Sequence, residues 1–373
     1  MPIAPFSHPV YVMAKPAGAA CNLRCAYCYY LDTSPRSEAP VSMMSDALLE
    51  EFVRQYIEMQ TTDSVLFTWH GGEPTLRGLD FYRRVVQLQR RWAGSRHVDN
   101  ALQTNGTLLT ADWCRFLHDE QWLVGISLDG PQHLHDAYRR NAQGRPTHAA
   151  VMRGVELCQR FGVEWNAMAT VNRATAAEPL AFYRFFRDNG CRYLQFTPVV
   201  ERVAGQVTSW SVTPEAWGAF LCAVFDEWWR RDVGTMFVQL FESTLAGWVG
   251  MTPGVCTMGR SCGHAAIIEA DGAVYSCDHF ATAEHRLGYL SAETTLLGMM
   301  HSEKQRAFGM QKTAALTAEC RRCPWLRLCN GECPRTRFAL SADGQAGHSY
   351  LCGGYRRYFA HTATAMRMLA AEM

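Results

Sequence analysis

The chain contains no apolar run near the roughly 20 residues that a membrane-spanning helix requires. Its opening, MPIAPFSHPVYVMAKP, lacks a basic segment followed by a long apolar stretch, which argues against a secretory signal. Charge of one sign is also missing. The 36 basic and 35 acidic residues leave a net charge of +1, too little for an extended nucleic-acid footprint. No internal repeat and no low-complexity tract is present. Charged residues make up only 19% against 48% hydrophobic, so a sizeable core is expected and disorder is not. These absences lead to the expectation of a cytoplasmic protein with neither a membrane nor a nucleic-acid partner. At 373 residues there is room for one large α/β domain and a smaller companion.

Cysteine, by contrast, is abundant at 15 residues. In a compartment that keeps thiols reduced, such a number points to metal ligation or catalysis before disulfides. Any single cysteine also reads as a small buried hydrophobe, so spacing has to decide.

The first half alternates β-like runs with amphipathic helical segments. Strands are expected at 11–15, 65–70, 100–104, 123–128, 164–171 and 193–197. Helices are expected at 45–59, 79–92, 111–120, 149–161 and 178–189. This alternation describes βαβ units on a parallel sheet, and six units suggest a partial (β/α)6 barrel of the TIM type. Function in such barrels gathers at the carboxyl ends of the strands. CNLRCAYC, HGGEP, QTNG and SLDGP follow the first four expected strands in turn. After Thr213 come helical segments at 214–231 and 237–249, in which Trp228 and Trp229 read as core. Periodicity then weakens, and eight cysteines fall between Cys256 and Cys352. That stretch reads as a small domain organised by metal more than by a hydrophobic core. The expected boundary divides the chain into 1–235 and 236–373.

Cys21, Cys25 and Cys28 form C-x3-C-x2-C. Three thiolates hold three irons of a [4Fe–4S] cubane, whereas a fully ligated one uses four. The open iron can chelate an amino and a carboxylate group, as needed to pass an electron to the sulfonium of S-adenosylmethionine. A zinc site would want a fourth Cys or His nearby, and the nearest histidine is His70. In Gly71-Gly72-Glu73-Pro74 the glycines allow close backbone approach to a ligand, although such a turn also serves simply to link strand and helix. Further on, Cys262-x9-Gly272-x4-Cys277 precedes Cys320-x2-Cys323-x5-Cys329-x3-Cys333, with Cys352 beyond. A zinc ribbon would favour two C-x2-C knuckles, and only one is present. With Cys256 the region offers eight thiolates, the number for two fully ligated [4Fe–4S] clusters. Cys114, Cys158, Cys191 and Cys222 lack ligand spacing and read as buried structural residues.

The triplet with Tyr27 before its last cysteine resembles the radical S-adenosylmethionine superfamily, and the later cysteines resemble the SPASM domain of radical enzymes that modify peptides. Over nearly its whole length the chain is similar to anaerobic sulfatase-maturating enzymes, through CNLRCAYCYY, HGGEPTL, LQTNGTLL, ISLDGP, HDAYRR, LQFTP, VYSCD and CRRCPWLRLCNGEC. The resemblance implies oxidation of a Cys or Ser of a sulfatase polypeptide to Cα-formylglycine, started by a 5′-deoxyadenosyl radical at Cβ. It implies three [4Fe–4S] clusters: one on the triplet, one on Cys256, Cys262, Cys277 and Cys333, and one on Cys320, Cys323, Cys329 and Cys352. It implies S-adenosylmethionine contacts from Tyr27, Gly72, Ser127, Arg139 and Leu194, although Arg139 also reads as a solvated helix charge. Asp278, directly after Cys277, takes the position of the family's proposed base, against the alternative of a solvated turn aspartate. Tyr30 and Gln103 would face the peptide. An electron donor of the flavodoxin or ferredoxin kind is implied as a partner, and a monomer is compatible with all of this.

Two other readings fit parts of the pattern. A SPASM maturase that forms a crosslink or thioether in another ribosomal peptide often carries an N-terminal leader-binding domain, whereas here strand one comes after about ten residues. A non-catalytic zinc-binding module would leave the three-cysteine site and GGEP without a purpose.

Overall fold

The computed structural model describes residues 10–30 and 43–373. Four parallel strands, β1 (Tyr11–Ala14), β2 (Ser64–Trp69), β3 (His97–Thr104) and β4 (Leu123–Ser127), lie side by side in chain order. Alternation sets their two faces: Val12 and Ala14 of β1, and Val65, Phe67 and Trp69 of β2, are buried. Helices Asp46–Glu58 and Leu79–Trp92 cover this sheet. Ser45 caps the first through its side chain, which accepts from the Leu48 N–H. Phe52, Tyr56, Phe67, Trp69, Tyr82 and Trp122 form a continuous aromatic cluster with ring centroids 4.8–6.5 Å apart. Each such side chain contributes on the order of 1.5–3 kcal/mol by leaving water. Trp69 keeps its indole N–H satisfied by donating to Asn100 Oδ1 at 2.9 Å.

This sheet gains three strands from far along the chain. β10 (Ala265–Ile268) pairs parallel to β1, and β11 (Ala273–Tyr275) and β12 (Arg286–Tyr289) follow antiparallel. The register matters for the site. Ala14 aligns with Ile268 on one side and with Trp69 on the other. The residues immediately after these strands, Lys15, Glu269 and His70, therefore emerge together at one carboxyl edge. The first compact unit consists of this sheet and its helices, built from the chain up to Ser127, Arg139–Trp165 and Cys262–Met310.

The second unit comprises Leu128–Tyr138, Asn166–Ser261 and Gln311–Met373. In it β5 (Trp165–Val171), β6 (Tyr193–Pro198) and β9 (Phe237–Val238) run parallel, and β7 (Arg202–Val203) pairs with β8 (Gln206–Val207) as a small hairpin. A second hairpin joins β13 (Ala339–Leu340) to β14 (Ala346–His348). Helices Pro214–Arg231 and Cys352–Ala371 pack closely, because Gly354 has no side chain: a Cβ there would lie 2.4 Å from the Pro214 carbonyl oxygen.

The α/β class with a mostly parallel sheet and six successive βα units agrees with the sequence reading. Two local expectations change. Residues 237–249 begin as strand β9 and turn helical only at Gln239–Trp248. The cysteine-rich region also contributes to the apolar core of each unit: Ile267, Ile268, Leu296 and Met300 are fully buried in the first, and Tyr358, Phe359 and Met366 in the second. Its strands are too short for alternation to show, and the Gly353-Gly354 pair interrupts the apolar pattern of the 20-residue final helix. Among the described residues no helix is long and apolar enough to cross a membrane.

Candidate active site

The loop carrying Cys21, Cys25 and Cys28 follows β1 and is tied down from three sides. Arg24 N–H donates to the Arg140 carbonyl at 2.7 Å, and Leu23 bridges to Asn141. Glu73 N–H donates to the Ala20 carbonyl at 2.7 Å and Gly72 N–H to that of Gly18 at 2.8 Å. Asn105, from the QTNG turn, donates to Asn22 Oδ1 at 2.8 Å. Gly72 is required by space: a Cβ would sit 2.1 Å from the Ala20 oxygen. Glu73 is fully enclosed and accepts from Thr75 N–H, the Thr75 and Thr104 hydroxyls and Asn105 N–H. Its carboxylate therefore staples the loops after β2 and β3 together.

Cys21 is open to solvent along the chain, yet its thiol is packed inward. That enclosure, with the Glu73 carboxylate and the thiols of Cys25 and Cys28 adding and the Leu23 N–H opposing, pushes its pKa up to about 12. A thiol held up in this way is a poor free thiolate, and in a loop with Cys25 and Cys28 it makes a good ligand for a soft, positively charged partner. Tyr27 is buried, with the Arg139 guanidinium carbon 5.6 Å from its ring centre. Arg139 is 8% exposed, so it is not a solvated helix charge. Ser127 ends β4, Gln103 lies on β3, and Leu194 lies buried on β6 in the second unit.

Asp278 is a second buried carboxylate of the first unit. It is 8% exposed and begins a short turn, Asp278–Phe280, directly after Cys277. Lys15, fully buried, donates to its Oδ1 and also to Glu269 Oε1 at 3.1 Å. The Tyr29 hydroxyl donates to Oδ2, and the Tyr30 hydroxyl lies 3.3 Å from the same atom and 3.2 Å from His70 Nδ1. Burial alone would raise the Asp278 pKa. The Lys15 ammonium, with His70 and His279, outweighs it and holds the carboxyl well below the usual carboxylate range. Burial pushes the Tyr30 hydroxyl well up, with Asp278 adding. Since Tyr29 and Tyr30 follow Cys28 directly, an ionised carboxylate stands beside the triplet loop. The solvated-turn reading of Asp278 does not hold.

Sequence reasoning missed Lys15, Glu269, Tyr29 and His70. The signal available was a lone lysine closing an apolar strand in YVMAKP and a lone glutamate closing another in AAIIE, which signify little until β10 is known to pair with β1.

In the second unit, Cys320, Cys323, Cys329 and Cys352 line one cavity with Glu332 and His348. Burial and the neighbouring thiols of Cys329, Cys320 and Cys323 push Cys352 up to about 12, and burial raises Cys329 to about 11. Among the described residues no three His, Cys, Asp or Glu side chains converge as a single metal ion would need. Four thiols spread around a shared cavity suit a polynuclear group better than one zinc ion. Buried Lys312 donates to the carbonyls of Cys256 and Thr257 at 2.9 and 2.8 Å. Asn330 donates to the Met258 carbonyl at 2.7 Å, and Arg337 to the Gly331 and Asn330 carbonyls. These bonds fix the loop of Cys256 against that of Cys329 and Cys333. In the first unit Cys262 N–H donates to the Gly309 carbonyl at 3.1 Å. Cys114, Cys158, Cys191 and Cys222 are buried within the two cores.

Comparison with known proteins adds the family. Residues 16–186 match the Radical SAM superfamily, and residues 256–324 match an iron-sulfur cluster-binding domain, SPASM. A serine-type anaerobic sulfatase-maturating enzyme of Bacteroides thetaiotaomicron is 50% identical across 99% of this chain and 93% of its own length. The chain belongs to the anaerobic sulfatase-maturating enzymes. Within this family a cysteine-type enzyme of Clostridium novyi is 31% identical over 97% of both chains. The structure of native anSMEcpe with bound AdoMet and Cp18Cys peptide superposes with a TM-score of 0.89, at 30% identity over 98% of this chain and 100% of that one. The architecture is thus that of the radical SAM partial barrel with a SPASM domain.

Proposed function

We propose that this sulfatase-maturating enzyme oxidises the active-site serine of a sulfatase polypeptide to Cα-formylglycine. Its family supports the reaction, and the 50% identity to a serine-type enzyme, against 31% to a cysteine-type one, supports serine as the substrate residue. The observation that carries the mechanism is the buried, lysine-held carboxylate of Asp278 beside the cysteine-triplet loop. When bound, a [4Fe–4S] cluster on Cys21, Cys25 and Cys28 together with S-adenosylmethionine supplies a 5′-deoxyadenosyl radical that takes a hydrogen atom from the substrate Cβ.

Going from CH2OH to CHO, the seryl side chain loses that hydrogen atom, one proton and one electron; the chain's own residues handle the proton, and a [4Fe–4S] cluster held by the later cysteines would be the acceptor of the electron. Asp278 accepts the hydroxyl proton. Lys15 keeps the carboxylate ionised and oriented until then, and Tyr29 and Tyr30 fix its second oxygen. Gly72 leaves the loop after β2 free to offer its backbone to the amino group of S-adenosylmethionine. By the family pattern Tyr27, Ser127, Arg139 and Leu194 would contact the rest of that molecule, and Tyr30 and Gln103 would face the peptide. By the family pattern Cys256, Cys262, Cys277 and Cys333 would hold one further [4Fe–4S] cluster, and Cys320, Cys323, Cys329 and Cys352 another. The boundary between a barrel at 1–235 and a SPASM part at 236–373 belongs to the same proposal. So do a flavodoxin or ferredoxin as one-electron donor, a monomer as the working form, and the cytoplasm as its location.

The test is a competition. Anaerobically reconstituted enzyme with reductant and S-adenosylmethionine receives a serine-type and a cysteine-type sulfatase peptide. The serine peptide is expected to lose the mass of two hydrogens and become reactive towards hydrazides. Conversion of the cysteine peptide alone would overturn the serine assignment. 5′-Deoxyadenosine formed while both peptides keep their mass would overturn the substrate class.

A further inference from the structure

His348 closes β14, where it pairs with Ala339 of β13, and the hairpin carries it into the wall of the cavity lined by Cys320, Cys323, Cys329 and Cys352. It is 7% exposed. Its Nδ1 lies 3.6 Å from Cys320 Sγ and 3.2 Å from Thr317 Oγ1. Thr317 is the N-cap of helix Ala318–Arg322, and its hydroxyl oxygen accepts from the Cys320 N–H at 3.3 Å. Backbone and ring thus converge on the same cysteine. A sulfur that ligates iron has lost its proton and acts only as an acceptor. The tautomer with the proton on Nδ1 is then the one that satisfies the contact.

We propose that His348 donates its Nδ1–H to the Cys320 sulfur and raises the reduction potential of the cluster on Cys320, Cys323, Cys329 and Cys352. The inference rests on the reading that these four cysteines hold a cluster. The physical reason is charge. A reduced cluster carries one more negative charge than an oxidised one, much of it on its sulfurs, so a donor aimed at a ligating sulfur stabilises the reduced form more. His348 acts through Cys320 and is a positioning residue. Burial of the ring strengthens the effect, because water does not compete for the same sulfur.

The experiment is a reductive titration of the holoenzyme followed by electron paramagnetic resonance. In His348→Leu one cluster signal is expected to move to a more negative potential, with iron and sulfide content unchanged. His348→Asn, which retains an N–H donor close to the Nδ1 position, is expected to recover most of that shift. Equal potentials in wild type and His348→Leu, or an asparagine variant as low as the leucine one, would overturn the proposal. Wild-type enzyme with nitrogen-labelled histidine gives a reading that needs no variant. A histidine nitrogen coupling at one reduced cluster is expected, and its absence overturns the hydrogen bond. Cys323→Ala separates the two levels of the inference. It is expected to lose the iron of one cluster, and undiminished iron would remove the cluster reading and this proposal with it.

Discussion

Asp278 and Lys15 form a buried pair whose two halves do different work. The carboxylate is the proposed base, and the buried ammonium pairs with both it and Glu269. Replacing Asp278 by Asn keeps the shape and removes the basicity. Asp278→Asn is expected to retain iron and to cleave S-adenosylmethionine, while formylglycine yield falls by about 10²–10⁴-fold. The check is the ratio of 5′-deoxyadenosine to aldehyde by mass spectrometry, and an unchanged ratio would remove Asp278 from the mechanism. Lys15→Met removes the buried cation that pairs with the buried Asp278 and the half-buried Glu269. It is expected to destabilise the fold by about 3–5 kcal/mol. Comparing denaturant midpoints with those of Lys15→Met/Asp278→Asn tests this: the double variant should recover part of the loss. At this scale the sequence was half legible. Asp278 was visible because it follows Cys277 in a recognisable motif. Lys15 was not, because its partners lie about 250 positions away along the chain.

At the scale of elements, loops after parallel strands carry the site, and their close approaches decide which residues are tolerated. At Gly72 and Glu73 the loop after β2 meets the loop after β1 through backbone hydrogen bonds. Gly72→Ala would drive a Cβ into the Ala20 carbonyl, and backbone on both sides leaves no flexible end to yield. That variant is expected to bind S-adenosylmethionine at least about tenfold more weakly, the equivalent of about 1.4 kcal/mol, while iron content stays near wild type. Equilibrium dialysis measures the first and iron analysis the second; wild-type affinity would contradict the account of the loop. The βα alternation was readable because helices such as Leu79–Trp92 and Pro214–Arg231 are long and periodic. β10–β12 were not, since three- and four-residue strands carry too little pattern, and β10 earns its place only by pairing with β1.

At the scale of the whole molecule, the cysteines were the most legible feature. Ligand spacing is local for Cys21, Cys25 and Cys28 and for Cys320, Cys323, Cys329 and Cys333. The hydrogen bonds from Lys312, Asn330 and Arg337 that fix the Cys256 loop against that of Cys329 and Cys333 come from tertiary structure and left no trace in the spacing. The central claim is that the protein makes formylglycine by abstracting a hydrogen atom from the substrate Cβ. The most direct test uses a serine-type sulfatase peptide with both Cβ hydrogens of its target serine replaced by deuterium. The account predicts that deuterium appears in 5′-deoxyadenosine and that the aldehyde product retains one deuterium. An aldehyde formed while 5′-deoxyadenosine stays free of deuterium would contradict it.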